Sequence, residues 1–283
     1  MKQEHLAIIG CGDIGTRVGL GLVNKGWKIS ALRRNPEKLP DSFTRFSGDY
    51  TRAESLGLIA ELQPSHVLFT PLPAGRDTAG YERGFLGGVN ALIESGLLRS
   101  SRYNIMVSST RVYAEVDGGH VNEESPLTSV DPAAAAIINA ERRFSETGHA
   151  RTCVRASGIY GDLPGMLLAR VQSGVASSDP SRISNRIHRD DLAGVLEFLF
   201  LEDVAAKPLP GYLVASDSEP TPIGEVEAWL AERLGVRLER PVMGAGSTRG
   251  NRQCNNQCLR SLGYVFKYPS FREGYRSMLE SQA

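Results

Sequence analysis

The sequence predicts an α/β chain built on a doubly wound parallel sheet. Three observations carry that expectation. Short apolar segments alternate with stretches of helical periodicity through the first two thirds of the chain. Strands that alternate with helices pair in parallel through right-handed crossovers. A G-x-G-x-x-G pattern, Gly10-Cys11-Gly12-Asp13-Ile14-Gly15, joins the first apolar segment to the first helical one.

The elements follow in order. Leu6-Ala7-Ile8-Ile9 reads as a strand, and residues 13–25 as the helix behind it. Trp27–Leu32 is a second strand, Val67-Leu68-Phe69 a third and Tyr103–Ser108 a fourth. Residues 53–62 form a helix whose Leu56, Ile59 and Leu62 share a face, and 79–98 form another. Asp131-Pro132 is an N-cap with proline at the first helical position, opening an Ala-rich helix to about Glu146. Thr152–Ala156 resumes the strand pattern. Asp190 caps a helix carrying Leu192, Val195, Leu196 and Leu199, and Thr221-Pro222 starts one with Ile223, Val226, Trp229, Leu230 and Leu234 as its stripe. Met243–Asn256, rich in Gly, Asn and Arg, reads as loop. These elements divide into a nucleotide-binding domain over 1–160, with strand and helix returns around 186–215, and a smaller, interleaved substrate region over 161–283.

Composition narrows the function classes. The 283 residues carry 32 Lys plus Arg against 32 Asp plus Glu, without the basic excess of a nucleic-acid binder. With 41% apolar residues and no net charge the chain can bury a core. No run approaches the roughly 18 apolar residues of a membrane span. Met1-Lys2-Gln3-Glu4-His5 runs straight into a strand without signal-peptide architecture, which makes the cytoplasm the expected location. Cys11, Cys153, Cys254 and Cys258 lack zinc-site spacing and read as reduced thiols, so no metal is expected.

The glycine pattern carries chemistry. Gly10 permits a tight turn, Gly12 lets the backbone approach a pyrophosphate, and Gly15 allows close helix–strand packing. The N–H groups of Asp13, Ile14 and Gly15 then face the anion at a helix N-terminus. Together these make the sheet Rossmann-type. The segment after the second strand reads Ser30-Ala31-Leu32-Arg33-Arg34-Asn35. A site for NAD places a carboxylate there to bond the ribose. Two guanidinium groups suit a 2′-phosphate instead, so NADP(H) is expected ahead of NAD(H).

Further along, the chain resembles the extended short-chain dehydrogenase/reductases, the NAD-dependent epimerase/dehydratase family. Gly48-Asp49-Tyr50, Ser108-Ser109-Thr110-Arg111-Val112-Tyr113, Arg155-Ala156-Ser157-Gly158-Ile159-Tyr160-Gly161, Ile187-His188-Arg189-Asp190-Asp191-Leu192-Ala193 and the ending around Leu262-Gly263-Tyr264 and Tyr268-Pro269 match its segments in order. The glycine spacing points to the atypical subgroup. The resemblance implies that Asp49, Tyr50 and Pro71 line the cofactor site and that Ser109 touches substrate. The family's Tyr-x-x-x-Lys pair is replaced by Ala134 and Ile138, whose side chains cannot move protons. The resemblance also places Thr110 and Arg111 at the positions of the dehydratases' Asp-Glu pair, which argues against a standard 4,6-dehydratase mechanism.

Ser109 and Tyr113 are therefore the expected catalytic residues, with Tyr160 and His188 as weaker proton donors. The pattern gives Tyr81 no role. Residues 237–276 hold eight basic and two acidic side chains, pointing to an anionic substrate met by His188, Arg249 and Arg252. The resulting expectation is an oxidoreductase or epimerase acting on a small sugar-nucleotide or anionic substrate. Its alternative is a non-catalytic NADP-binding regulator or redox sensor. A homodimer through helices 79–98 and 132–146 is also expected from the resemblance.

Overall fold

The computed structural model describes residues 3–128, 130–241 and 250–281. The chain divides into two compact units. The first comprises residues 1–112, 127–155 and 193–213, and the second residues 113–126, 156–192 and 214–283.

The first unit holds a seven-stranded parallel sheet. In order along the whole chain, the early elements are β1 (His5–Ile9), α1 (Asp13–Val23), β2 (Lys28–Arg33), β3 (Thr44–Ser47), α2 (Gly57–Glu61) and β4 (His66–Phe69). Then follow α3 (Thr78–Tyr81), α4 (Gly88–Glu94), β5 (Tyr103–Ser109), the two-residue strand β6 (His120–Val121), α5 (Pro132–Ser145) and β7 (Ala150–Ala156). The later elements are β8 (Gly158–Tyr160), α6 (Met166–Gln172), β9 (Ile183–Ser184), β10 (Arg186–His188), α7 (Arg189–Val204), β11 (Tyr212–Ala215), β12 (Thr221–Pro222), α8 (Ile223–Leu234), β13 (Gln253–Cys254), α9 (Gln257–Ser261) and α10 (Phe271–Glu280).

The sheet order is β11-β7-β5-β4-β1-β2-β3, so the chain winds one way from β1 to β3 and the other way from β4 onward. The change of direction lies between β1 and β4, where Leu6 to Ile9 register with His66 to Phe69. In open α/β sheets that switch point is where ligands bind, beyond the C-terminal strand ends. The middle strands are buried on both faces, which explains their near-continuous apolar sequences. Helix α1 buries Gly15, Val18, Gly19 and Leu22 at helical spacing. Burying one such leucine contributes about 1.5–3 kcal/mol.

Several expected elements differ in detail. Strand β3 has no apolar alternation, because it is an exposed edge that only pairs with β2. The predicted 53–62 helix splits into a 3-10 turn, Ala53–Leu56, and α2; Leu62 then falls at the helix end and stays exposed. The predicted 79–98 helix is interrupted by a π-helical turn, Glu82–Gly87, between α3 and α4. A Cβ on Gly84 would sit 3.0 Å from the Ala74 nitrogen, so the turn presses on the loop after β4 in a way that only glycine permits. The segment read as loop over Met243–Asn256 contains β13, which pairs with β6. Helix α7 starts at Arg189, so Asp190 lies inside the first turn; the His188 ring nitrogen Nδ1 accepts the Asp190 N–H at 3.2 Å.

The second unit has its own core. Leu168 and Val171 of α6 meet Val226 and Leu230 of α8 and Phe271, Tyr275 and Met278 of α10. Ser270 and Glu273 cap α10 reciprocally.

Candidate cofactor and active site

The glycine turn is built as its sequence requires. Gly10 has φ +81°, and a Cβ there would sit 2.9 Å from the Thr70 carbonyl. The Gly10 and Cys11 N–H groups both donate to the Leu32 carbonyl, and Thr70 Oγ1 donates to the Gly10 carbonyl at 2.8 Å. The turn is thus pinned to β2 on one side and β4 on the other. Gly12 is the N-cap of α1 and supplies no side-chain cap. A Cβ on Gly12 would find its nearest neighbour 3.9 Å away, so the absent side chain leaves an open cradle at the helix N-terminus. A Cβ on Gly15 would instead lie 2.8 Å from Ile8 Cγ2, the sign of close helix–strand contact. The first-turn N–H groups around Asp13, Ile14 and Gly15 have no acceptor within the helix itself. This cradle fits a pyrophosphate, and it stands at the switch point of the sheet.

Arg33 ends β2 half-buried, and Arg34 follows it exposed. Among the described residues neither guanidinium is engaged in an ion pair. Asp49 takes the N–H of Thr51 at 3.0 Å and its hydroxyl at 2.9 Å. The backbone hydrogen bond leads in holding its carboxyl below the usual range, with help from Arg34 and Arg52. Tyr50 packs its ring edge-on against Phe69, and its hydroxyl bonds the carbonyl and N–H of Leu72. Tyr50 therefore braces the loop after β4, where Pro71 is buried beside exposed Leu72.

The C-terminal end of β5 gathers a second group. Ser109 Oγ accepts the Arg111 backbone N–H at 3.2 Å. The Arg111 guanidinium makes two bonds to Asp131, at 2.6 and 3.1 Å, and donates to the Tyr81 hydroxyl oxygen at 3.1 Å. Its planar group also lies 5.2 Å from the Tyr81 ring centre, and Tyr81 stacks on Phe85 at 6.0 Å. Burial alone would raise the Asp131 carboxyl; the Arg111 bonds and the N–H groups of α5 outweigh it and hold it below its ordinary range. Asp131 caps α5 through the N–H groups of Ala133 and Ala134. Ala134 is buried in that first turn, and Ile138, one turn on, is half-buried.

Helix α5 is locked further along its length. Ser108 Oγ donates to Glu141 Oε1 at 2.5 Å, and Arg155 bonds both oxygens of the same carboxylate. These bonds tie α5 to β5 and β7 within one buried cluster.

The second unit places the remaining expected residues. Tyr113 is only 1% exposed, and its carbonyl accepts from Arg252 Nη1 at 2.9 Å. Both side chains are therefore buried, and Arg252 supports backbone. His188 is buried between Tyr268, with ring centres 4.1 Å apart, and Tyr160, at 5.1 Å. Arg249 lies outside the described residues. Around Tyr160 lie buried polar groups that the sequence did not single out, Arg186 and Asp217 among them. Ser157 Oγ, Tyr160 Oη, Arg186 Nη2 and Asp217 Oδ2 are enclosed without hydrogen-bond partners among the described residues. Desolvation pushes the Asp217 carboxyl up to about 8 despite the nearby Arg186.

Tyr81 is the other residue that sequence reading missed. It precedes Arg111 by 30 positions and belongs to a different helix–strand unit, so no local spacing links the two. Among the described residues no group of His, Cys, Asp and Glu could hold a metal, and no helix is long and apolar enough to cross a membrane.

No protein-family model and no curated protein matches the chain. Solved structures do match over nearly its whole length. A structure described as an NAD-dependent epimerase/dehydratase from Methylobacillus flagellatus superposes with a TM-score of 0.79 at 25% identity, covering 99% of each chain. A conserved protein of unknown function from Silicibacter pomeroyi gives 0.73 at 23% identity, again over 99% of each. The Thermus thermophilus UDP-glucose 4-epimerase, solved with NAD, gives 0.75 at 21% identity over 96% of each. With its switch-point glycine cradle and its Ser-Ser strand end, the chain has the extended short-chain dehydrogenase/reductase fold that these epimerase/dehydratase structures share.

Proposed function

We propose that the chain binds NADP(H) ahead of NAD(H) and acts as an oxidoreductase or epimerase on a small anionic substrate, with a nucleotide sugar as the leading class. The observation that carries this reading is the Gly10–Gly15 cradle flanked by Arg33 and Arg34, with no carboxylate at the end of β2. When bound, the dinucleotide would accept or supply a hydride at the nicotinamide. The cradle would hold its pyrophosphate, and the two guanidinium groups its 2′-phosphate. A neighbour in complex with UDP-glucuronic acid and NAD, at 21% identity, supports the substrate class by fold analogy.

The test is a calorimetric titration with NADPH, NADP+, NADH and NAD+, followed by a thermal-shift panel of UDP-sugars. Tighter binding of the two phosphorylated cofactors supports the reading; equal affinity for all four overturns the preference. Ala134 and Ile138 favour a second reading, a regulator that binds the cofactor without turnover, since neither can relay a proton. Hydride transfer from bound NADPH to any carbonyl substrate would exclude it. The helical stretches 79–98 and 132–146 are the proposed surface for a homodimer, which light scattering would test.

A further inference from the structure

We infer that Tyr81 stands in for the missing tyrosine as proton donor, with Arg111 as the cation beside it. The inference rests on the cofactor reading above and deepens it. Three observations support it.

The first is position. A dinucleotide lying across the β1 end places its adenosine half over β2 and its nicotinamide half over β4 and β5. Tyr81 is in the first helix after β4, and Arg111 immediately follows β5. Both therefore stand on the nicotinamide side.

The second is hydrogen-bond direction. Tyr81 Oη accepts from Arg111 Nη1, and Ser109 Oγ accepts from the Arg111 backbone. Among the described residues neither hydroxyl donates its own proton to a protein group. One residue thus orients two hydroxyl donors and leaves both O–H groups for an incoming oxygen. The guanidinium also stabilises negative charge that develops on the phenol oxygen as its proton leaves.

The third is rigidity. Arg111 is fixed by two bonds to Asp131, which itself caps α5 beside Ala134. The Tyr81 ring is stacked on Phe85, and a π-helical turn, a feature frequent at functional sites, follows directly.

In the reducing direction the substrate carbonyl carbon receives a hydride from the bound cofactor. The carbonyl oxygen takes the proton of Tyr81 Oη, with Ser109 as second donor. The phenolate then recovers a proton from solvent. The sum is NADPH, carbonyl and one proton giving NADP+ and alcohol.

The experiment places 3-fluorotyrosine at position 81 and follows its 19F resonance. Addition of NADP+ should shift it, whereas 2′,5′-ADP, which lacks the nicotinamide half, should leave it in place. Binding of both ligands with identical or absent shifts overturns the assignment and leaves the cofactor reading standing. Failure of both to bind overturns the cofactor reading and this assignment together. With phenanthrenequinone as probe carbonyl, Tyr81→Phe should lower kcat about a hundredfold while the NADPH affinity stays within about threefold. An unchanged kcat would remove the proton-donor role.

Discussion

Arg155 and Glu141 form a buried, two-pronged ion pair. Arg155 Nη2 stands 2.7 Å from Glu141 Oε2, and its Nε 3.1 Å from Oε1. The guanidinium also covers the Tyr212 ring at 4.5 Å. With Ser108 as third donor, the pair fixes the rotation of α5 and so the placement of Ala134 and Ile138. Arg155→Met leaves a carboxylate buried without its cation, and urea denaturation should show a loss of about 3–5 kcal/mol. Pairing it with Glu141→Leu should restore most of that loss. A single variant as stable as the wild type would show that α5 is held by its apolar face alone.

Gly12 and Gly15 should respond differently to added side chains. A Cβ at Gly12 projects into the open cradle, whereas at Gly15 it meets Ile8. Gly12→Ala should cost no more than about 1 kcal/mol of stability yet weaken NADPH binding about tenfold or more. Gly15→Val should cost about 1–3 kcal/mol through overpacking. Parallel melting curves and titrations separate the two effects; equal effects on both properties would contradict the cradle geometry.

The cofactor preference should lie in the charge after β2. Arg33→Ala with Arg34→Ala should weaken NADPH about tenfold or more, as expected for losing charge-assisted bonds, and leave NADH unchanged. The preference should also shrink as salt rises, because both groups are accessible to counter-ions. A double variant that loses NADH and NADPH equally would place the effect on the fold.

Asp217 makes stability depend on pH in the less usual direction. Its folded carboxyl titrates at about 8, against 3.8 for the ordinary group, because it is desolvated. Between those values the folded chain holds a proton that the unfolded chain has released. Its contribution is therefore complete below about 4 and is lost as pH rises through about 8. Asp217→Asn should remove that dependence, so its advantage over the wild type should widen from pH 5 to pH 9 in denaturant titrations. A constant difference would mean that Asp217 is ionised throughout.

By itself the sequence determined the doubly wound parallel class of the sheet, most of its apolar strands and the glycine turn. These rest on local signals: apolar strands with buried faces, Asp131-Pro132 at a helix start, and glycines whose roles are set by backbone geometry within a few residues. The absence of a carboxylate after β2 and of tyrosine and lysine on α5 was equally legible, since both are questions about one position at a time. Edge strand β3 and the break in the 79–98 helix were not, because pairing at an edge and the approach of Gly84 to the loop after β4 leave no periodic trace. Only the tertiary structure decided which polar groups meet. It enclosed Tyr113 and Arg252, brought Tyr81 to Arg111 across 30 residues, and buried Asp217 with Arg186. Hydrogen bonds of that kind depend on where separate elements dock, and docking is fixed by the packed core as a whole rather than by the spacing of the residues that share the bond.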